Sequence, residues 1–171
     1  FPGDVQLLRE KLNLLFPPET AAPGPNWQKL AAAIALRKKF TVISGSPGTG
    51  KTTTVTKVMA LLVEMSGSLQ MNIALTAPTG KAAVRLQEAV KKARLLLPCS
   101  ETVRAAIPEQ ASTIHRLLGS RPDSPYFRHN RENPLPADVV IVDEASMVDL
   151  PLLSKLVQAL PAAAKLILLG D

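Results

Sequence analysis

The sequence feature that most constrains the fold is the eight-residue run from Gly45 to Thr52. Its letters, GSPGTGKT, satisfy the phosphate-loop pattern G-x-x-x-x-G-K-[ST] at every fixed position. A β-branched stretch at 40–44, which predicts a buried strand, precedes the run, and a helical apolar pattern at 53–66 follows it. This order of strand, loop and helix predicts an α/β protein that binds the phosphates of a nucleotide.

The loop has the residue types that phosphate binding needs. Glycines allow backbone conformations closed to other residues, so that successive N–H groups can point at an anion beside the positive end of the next helix. Lys51 is placed to reach the β- and γ-phosphates, and the Thr52 hydroxyl to ligate Mg²⁺. A loop that needed only flexibility would have no use for lysine and threonine at these two positions, so ATP and Mg²⁺ are the expected ligands.

Composition narrows the class of protein. A chain of 171 residues, 46% hydrophobic and 20% charged, suits one globular domain, and 4% aromatic residues argues against a base-stacking sheet. The single cysteine, Cys99, excludes an internal disulfide, makes a zinc cluster implausible and favours a reducing compartment such as the cytoplasm. No apolar run approaches the length of about 18 residues that a membrane span needs. Because the chain does not begin with Met, we expect it to be part of a longer protein.

The net charge of +6 is concentrated in one segment. Residues 78–131 contain ten Lys and Arg against four Asp and Glu, which equals the whole excess, although extension to residue 138 lowers it to +4. For any one of these residues a solvated helix face is an equal explanation. For the group, a polyanionic partner is the better one.

The N-terminal segment reads as a separate element. Residues 1–16 form an amphipathic pattern with Asp4 as N-cap and an apolar stripe of Val5, Leu8, Leu12 and Leu15. We expect residues 1–18 to be a helix from a preceding domain, 19–25 a Pro- and Gly-rich linker, and 26–171 the nucleotide-binding domain. A helix from Asn26, its N-cap, to about Lys39 should then bury Trp27, Leu30, Ile34 and the alanines.

The middle of the chain predicts a second strand at 72–77 and a helix from about Lys81. The turn between them, residues 78–81 (PTGK), lies where α/β sheets bind ligands and has the small residues and lysine that suit a phosphodiester backbone. A simple strand-to-helix turn explains it equally well. Residues 95–110 predict a helix pair or an irregular excursion, residues 111–118 a short helix capped by Ser112 or Thr113, and residues 119–136 a surface loop.

The last part of the chain supplies the acids that a phosphate loop needs. Residues 138–143 are apolar throughout the middle, as a central parallel strand should be; they end in Asp143, and Glu144 follows. Asp143 can hold Mg²⁺ through water, and Glu144 can orient or deprotonate an attacking water. A helix at 148–160 and a fourth strand at 164–169 follow. Four strands with intervening helices predict a parallel sheet with helices on both faces.

Five segments now occur in the order of helicase motifs I, Ia, Ib, II and the start of III. They are residues 45–52, 76–83 (TAPTGKAA), 112–118 (STIHRLL), 143–146 (DEAS) and 169–171 (LGD). In this ordered set the chain resembles the superfamily 1B DNA helicases of the RecD family. The resemblance extends from about Leu12 to the end of the chain.

The resemblance implies a three-layer RecA-like domain with strand order 2-3-1-4 and an ATP-driven motor that moves 5′ to 3′ on single-stranded DNA. It implies a place in recombinational double-strand break repair, within an exonuclease V complex that has RecB-like and RecC-like subunits. The motor would be incomplete, because motif III is cut short and the second motor domain is missing. We therefore expect the chain alone to bind ATP without unwinding DNA.

The same resemblance assigns roles to individual residues, matched position by position. Lys51, Asp143 and Glu144 would be catalytic, and Thr52 and Asp143 would hold Mg²⁺. Gly170 and Asp171 would couple the ATP state to the grip on DNA. The remaining assignments are nucleotide contacts at Gln28, which would contact adenine, Gly48, Thr49, Gly50, Lys51, Thr52 and Thr53, and DNA contacts at Pro78, Thr79, Lys81, Thr113 and His115.

Three alternatives remain open. Another phosphate-loop machine, such as an AAA+ ATPase, would share the acids after the third strand but would not explain the segments at 76–83 and 112–118. A subunit that binds ATP without hydrolysing it would share the whole sequence pattern. A stand-alone RecD-like helicase without nuclease partners would share it too.

Overall fold

The computed structural model describes residues 5–17, 24–67, 70–122 and 124–170. Five strands and seven helices follow one another in these segments, with a short 3₁₀ turn at Ala145–Met147. The helices are α1 (Val5–Leu15), α2 (Trp27–Arg37), α3 (Lys51–Ser66), α4 (Gly80–Leu95), α5 (Glu101–Ala106), α6 (Ile114–Leu118) and α7 (Leu150–Gln158). The strands are β1 (Phe40–Ser44), β2 (Ile73–Ala77), β3 (Ala111–Thr113), β4 (Val139–Val142) and β5 (Lys165–Gly170).

The strands form one parallel sheet in the order β1-β5-β4-β2-β3. The predicted α/β class is confirmed, but the predicted strand order is wrong, because the last strand lies between β1 and β4 instead of outside β1. Burial gives the physical reason. Residues 166–169 of β5 are all buried, as a central strand requires, whereas β1 alternates and leaves Phe40 and Val42 each 58% exposed at the sheet edge.

Helices cover both faces of the sheet. Alternate residues of the central strands enter two separate cores, so that Ile141 and Ile167 pack with α1 to α5, while Val140 and Leu168 pack with α6 and α7. This alternation follows from the period of two in a strand. The result is the three-layer arrangement that the sequence predicts.

Helix α3 lies at the centre of the first layer. The predicted apolar face is buried, and the opposite side, including Ala60 and Leu61, is buried as well. The reason is that α1, α2, α4 and α5 pack around this helix in addition to the sheet. The helix that follows the phosphate loop is therefore rigidly held.

Helix α1 packs in the same core as α2 and α3. Leu12, Leu15 and Phe16 are buried there, and the Lys57 ammonium of α3 lies 4.5 Å from the centroid of the Phe16 ring. Val5, which the predicted stripe includes, is instead 74% exposed. Asp4 and most of the predicted linker lie outside the described residues, and the proposed domain boundaries stay a prediction.

Helix α2 begins at the predicted cap but buries only part of the predicted side. The Asn26 side chain accepts a hydrogen bond of 2.9 Å from the Lys29 N–H. Trp27, Leu30 and Ile34 are exposed, contrary to the prediction. The buried side consists of two of the predicted alanines, Ala32 and Ala35, and of Leu36, because small alanines let α2 approach α3 closely.

The far end of α2 is tied to the sheet by Lys165 of β5. Its ammonium donates to the carbonyl oxygens of Leu36 (2.9 Å) and Lys38 (2.8 Å) at the end of the helix. Burial lowers the pKa of Lys165. This contact between β5 and α2 fixes the helix that carries Gln28 relative to the sheet.

Three further sequence predictions need correction. Val84, predicted to pack, is 55% exposed on α4, and residues 111–113 form a short strand instead of helix. The described residues of the segment 119–136 form a loop as predicted, but Leu135 among them is buried in the second core. No helix in the part of the chain that the structure describes is long and apolar enough to cross a membrane.

Candidate nucleotide-binding site

The phosphate loop joins the carboxyl end of β1 to the first turn of α3. Gly48 (φ +82°) and Gly50 (φ +79°) have left-handed backbones, which glycine adopts at low cost. Gly50 immediately precedes α3, and no side chain caps that helix. The first N–H groups of α3 therefore face the loop, where the helix dipole favours an anion.

Contacts within the loop fix its curvature. The Lys51 ammonium donates to the carbonyl oxygens of Gly45 and Ser46, the latter at 3.2 Å. The Thr49 hydroxyl donates to the Ser46 carbonyl at 2.8 Å. The loop thus curls around the lysine, and its shape is set by the protein itself.

Gln28, at the start of α2, reaches the same loop. Its Nε2 donates to the Thr49 carbonyl oxygen at 3.0 Å. A Cβ at Gly50 would lie 2.9 Å from that Nε2, so the side chain and the loop fit only because residue 50 is glycine. The structure brings Gln28 to the phosphate loop.

An open pocket of about 1290 Å³ extends from the loop towards the gap between α1 and α2. The loop contributes Gly45, Thr49 and Lys51 to its wall, and α2 contributes Trp27, Gln28 and Leu30. A cleft of this size accommodates a nucleotide. Thr53, the remaining predicted nucleotide contact, is exposed in the first turn of α3.

The two predicted acids lie at the carboxyl end of β4. The Asp143 N–H donates to the Thr76 carbonyl oxygen at 2.9 Å, and Asp143 Oδ1 accepts from the Glu144 N–H at 3.0 Å. Glu144 has φ +49°, and it is the one non-glycine residue with a positive φ in the described segments. Because β5 separates β1 from β4, two inter-strand steps, roughly 10 Å, lie between the loop and the acids.

Gly170, at the end of β5, lies between the loop and the acids. Its carbonyl oxygen accepts from the Gly45 N–H at 3.2 Å. A Cβ at Gly170 would lie 3.4 Å from the backbone nitrogen of Ser146, in the turn after the acids. Gly170 therefore contacts both segments, whereas Asp171, its predicted partner in coupling, lies outside the described residues.

The residues at this edge suit a magnesium ion in their chemistry. Thr52 offers a hydroxyl oxygen at the start of α3 and Asp143 a carboxylate oxygen, both half-buried. Mg²⁺ prefers oxygen ligands and usually keeps several waters beside one or two protein groups and substrate phosphates. The donor set fits that preference.

The five predicted DNA contacts lie at a neighbouring part of the same edge. β2 and β3 end side by side, with Ala77 paired to Thr113. Thr79 and Thr113 each cap the following helix, by hydrogen bonds of 3.2 Å from the N–H groups of Ala82 and Arg116. Pro78 is half-buried in the turn between β2 and α4, Lys81 is exposed in the first turn of α4, and the exposed His115 ring packs edge-on against Phe127 at 5.7 Å.

Sequence reasoning missed the residue that connects the two acids with the predicted DNA contacts. Thr76 of β2 is fully buried, its carbonyl oxygen accepts from Asp143, and its hydroxyl donates to the Ser112 carbonyl at 2.9 Å. It thereby joins β4, which carries the acids, to β3, which ends at Thr113. The signal was a hydroxyl residue inside an otherwise apolar strand.

The basic segment at 78–131 divides into paired and exposed charges. Arg94 pairs with Glu109, and Arg104 pairs with Glu101 at 2.8 Å, so these two arginines stabilise the region around α5. The others are exposed: Lys81, Arg85, Lys91, Lys92, Arg116, Arg121, Arg128 and Arg131. The positive excess of the sequence is therefore presented on the surface.

Comparison with known proteins finds a matching family model and similar proteins in other organisms. The family model described as AAA domain matches residues 28–171. The chain is 45% identical over 168 residues to the RecBCD enzyme subunit RecD of Haemophilus influenzae, which covers 96% of this chain and 26% of that protein. It is 43% identical over 133 residues to the ATP-dependent RecD2 DNA helicase of Deinococcus radiodurans, which covers 78% of this chain and 15% of that one. The chain thus spans about a quarter or less of the length of these relatives.

A solved structure supports the fold alone. The crystal structure of T4 UvsW matches all of this chain and 35% of its own length, with a TM-score of 0.63 at 13% identity. At that identity the likeness concerns the path of the backbone. It agrees with a RecA-like three-layer domain.

Proposed function

The chain belongs to the AAA domain family, and from this premise we propose that it is the ATP-binding motor domain of a RecD-type DNA helicase. The observation that carries the proposal is the convergence of the phosphate loop, Gln28 and the pair Asp143 and Glu144 at one edge of the sheet. The family description alone does not distinguish a helicase from other phosphate-loop ATPases. The similarity to RecD subunits favours the helicase.

The proposed chemistry assigns one task to each group. The loop N–H groups and the Lys51 ammonium bind the phosphates, and Gln28 contacts adenine. Glu144 orients or deprotonates the attacking water, a role that contributes typically 10²- to 10⁴-fold in rate. Thr52 and Asp143 would hold Mg²⁺, which neutralises phosphate charge when it is bound.

The proposed DNA path crosses the ends of β2 and β3. Lys81, the N–H groups at the start of α4, and the neighbouring exposed arginines suit a phosphodiester backbone, which such contacts position without reading sequence. Pro78, Thr79, Thr113 and His115 complete the proposed surface. Gly170, which contacts both the loop and the turn after the acids, is the proposed route from the ATP state to the grip on DNA, with Asp171.

The finer features of the function also belong to this proposal. They are 5′-to-3′ movement on single-stranded DNA, a role in double-strand break repair with RecB-like and RecC-like subunits, and a cytoplasmic location. The chain alone should bind ATP without unwinding DNA. Robust unwinding by the 171-residue chain would contradict that expectation.

A stand-alone helicase is the second candidate, since the similarity to a RecD2 helicase favours it. Purification of the parent protein from its native cells separates the two. Stoichiometric co-purification of two further subunits supports the complex, and a lone active chain supports the stand-alone enzyme. A subunit that does not hydrolyse ATP would be indicated if Glu144→Gln changed neither ATP turnover nor DNA processing.

The decisive experiment measures ATP hydrolysis by the longest parent chain with and without single-stranded DNA. We expect strong stimulation by DNA that Lys51→Ala abolishes. Lys38→Ala, at an exposed lysine outside the site, is the matched control and should leave the stimulation unchanged. Turnover indifferent to DNA, together with failure to bind it, would leave an AAA+-type ATPase and exclude the helicase.

A further inference from the structure

One large residue in the nucleotide pocket has no role in the function proposed so far. Trp27 is the first residue of α2 and the single tryptophan of the chain. Trp27 is 70% exposed and lines the pocket that begins at the phosphate loop. Gln28, the next residue, hydrogen-bonds that loop.

The fold does not need an indole at this position. Asn26 caps α2, and the alanines together with Leu36 pack the helix against its neighbours. Exposure of so large an apolar side chain forfeits the stabilisation that burial of apolar surface provides. A ligand that covers the ring would recover part of it.

The pocket indicates which part of a nucleotide meets Trp27. Phosphates held by the loop leave the sugar and base to extend along the pocket that begins at the loop, towards α1 and α2. Two aromatic residues are among the described lining residues. Phe16 is 2% exposed with the Lys57 ammonium above its ring, so Trp27 presents the accessible π surface.

We propose that Trp27 stacks on the base of the bound nucleotide and supplies affinity that does not depend on which base it is. The proposal rests on nucleotide binding at this loop. Every base has a π face, so stacking tolerates changes of base. Recognition of a particular base would then fall to the hydrogen bonds of Gln28, and the two neighbouring residues would divide affinity and selectivity between them.

The test compares ligands with and without a base. Binding of ADP, GDP and inorganic tripolyphosphate to the full 171-residue chain is measured by titration calorimetry, with thermal unfolding as a check of folding. Trp27→Ala should weaken the binding of ADP and of GDP by about the same factor, on the order of tenfold, and should leave the affinity for tripolyphosphate within about twofold of the original. Trp27→Phe, which keeps a ring, should restore ADP affinity to within about threefold of the original.

Two further measurements sharpen the result. Ile34→Ala removes an exposed apolar side chain from the same helix away from the pocket and should leave all three affinities unchanged. Because Trp27 is the sole tryptophan, its fluorescence should be quenched by ADP and not by tripolyphosphate. Lys51→Ala should abolish binding of all three ligands.

The outcomes separate this inference from the function on which it rests. Unchanged ADP affinity in Trp27→Ala, or an equal loss for tripolyphosphate, overturns the stacking role while nucleotide binding stands. Absence of binding in the unsubstituted chain would overturn both proposals.

Discussion

Two residues beside the proposed nucleotide site have left-handed backbone conformations, and the conformational free energy that this costs differs strongly between them. At Gly50 the conformation is nearly free, and the missing side chain also makes room for the Gln28 amide. At Glu144 a side chain is present, and a left-handed backbone costs about 1–2 kcal/mol for most residues. Strain of this kind persists where the surrounding structure holds it and is typical of functional sites.

Replacement of Gly50 by Ala should impair both folding and nucleotide binding. The backbone strain costs about 1–2 kcal/mol of unfolding free energy, and the new Cβ displaces Gln28 from Thr49. We expect ADP affinity to fall at least about tenfold, since the loop loses its side support. Gly67→Ala is the matched control, because Gly67 has φ +64° with nothing within 4 Å; it should lose stability without losing affinity. Equal affinities in the two variants would contradict the account.

Replacement of Glu144 should separate stability from catalysis. Asn tolerates the left-handed region, so Glu144→Asn should raise the unfolding free energy in urea by up to about 1 kcal/mol. Glu144→Gln keeps the strain and should unfold like the original chain. Both substitutions remove the proposed base and should lower ATP turnover of the parent at least about 100-fold. If the Asn variant were no more stable than the Gln variant, the backbone at residue 144 would not be strained.

At the scale of elements, the site is assembled by links between strands that adjoin in space and are distant in sequence. Thr76 joins β2 to β4 through its carbonyl and to β3 through its hydroxyl. Both links lie between the acids of β4 and the end of β3, where the proposed DNA contacts begin. The register of the three strands therefore fixes the proposed ATP and DNA sites relative to each other.

Thr76→Val should destabilise the chain by about 1–3 kcal/mol, since the Ser112 carbonyl loses its buried donor. The control is Thr56→Val in α3, which is also fully buried and whose hydroxyl donates to the Thr52 carbonyl at 2.7 Å. The Thr52 carbonyl keeps its helical N–H partner, so Thr56→Val should lower the free energy of unfolding by less than about 1 kcal/mol. Urea unfolding of both variants measures the difference. A cost at Thr56 as large as at Thr76 would show that loss of the hydroxyl, and not the link between strands, sets the result.

Elements with strong local signals were predictable from sequence, and elements that depend on distant partners were not. Asn26 and the apolar run of β4 specify their structures locally, and both predictions are confirmed. Burial of the alanines of α2 was predicted correctly, but burial of the larger Trp27, Leu30 and Ile34 was not, because the close approach of α3 favours small residues. β3 was missed because three residues form a strand only where a neighbouring edge, that of β2, is available.

For the whole molecule, the class of sheet and the segments that line its proposed functional edge could be predicted from the sequence, but the strand order could not. β1 and β5 both read as short apolar strands, and only the assembled sheet shows that Phe40 and Val42 stay exposed while residues 166–169 are buried. The order matters for the proposed function because it puts Gly170 between the phosphate loop and the two acids. The net charge of the basic segment could be predicted from the sequence, whereas the ion pairs of Arg94 and Arg104 with acidic residues became visible only in the structure.

The distribution of charge leads to a prediction about binding of single-stranded DNA by the parent protein. Each phosphate contact that a cation makes with a single strand contributes about 0.7 to the slope of log affinity against log salt concentration. Lys81→Gln, at the exposed start of α4, should weaken DNA binding and reduce that slope by roughly this amount, because one counterion fewer is released.

Arg37→Gln is the matched control for this measurement. Arg37 is also exposed and lies in the last turn of α2, outside the basic segment, so its loss lowers the net charge equally. If affinity depended only on the total charge of the molecule, the two variants would weaken binding alike. If the edge formed by the ends of β2 and β3 is the DNA path, only Lys81→Gln should change the slope, and an unchanged slope in that variant would remove this edge from the proposed path.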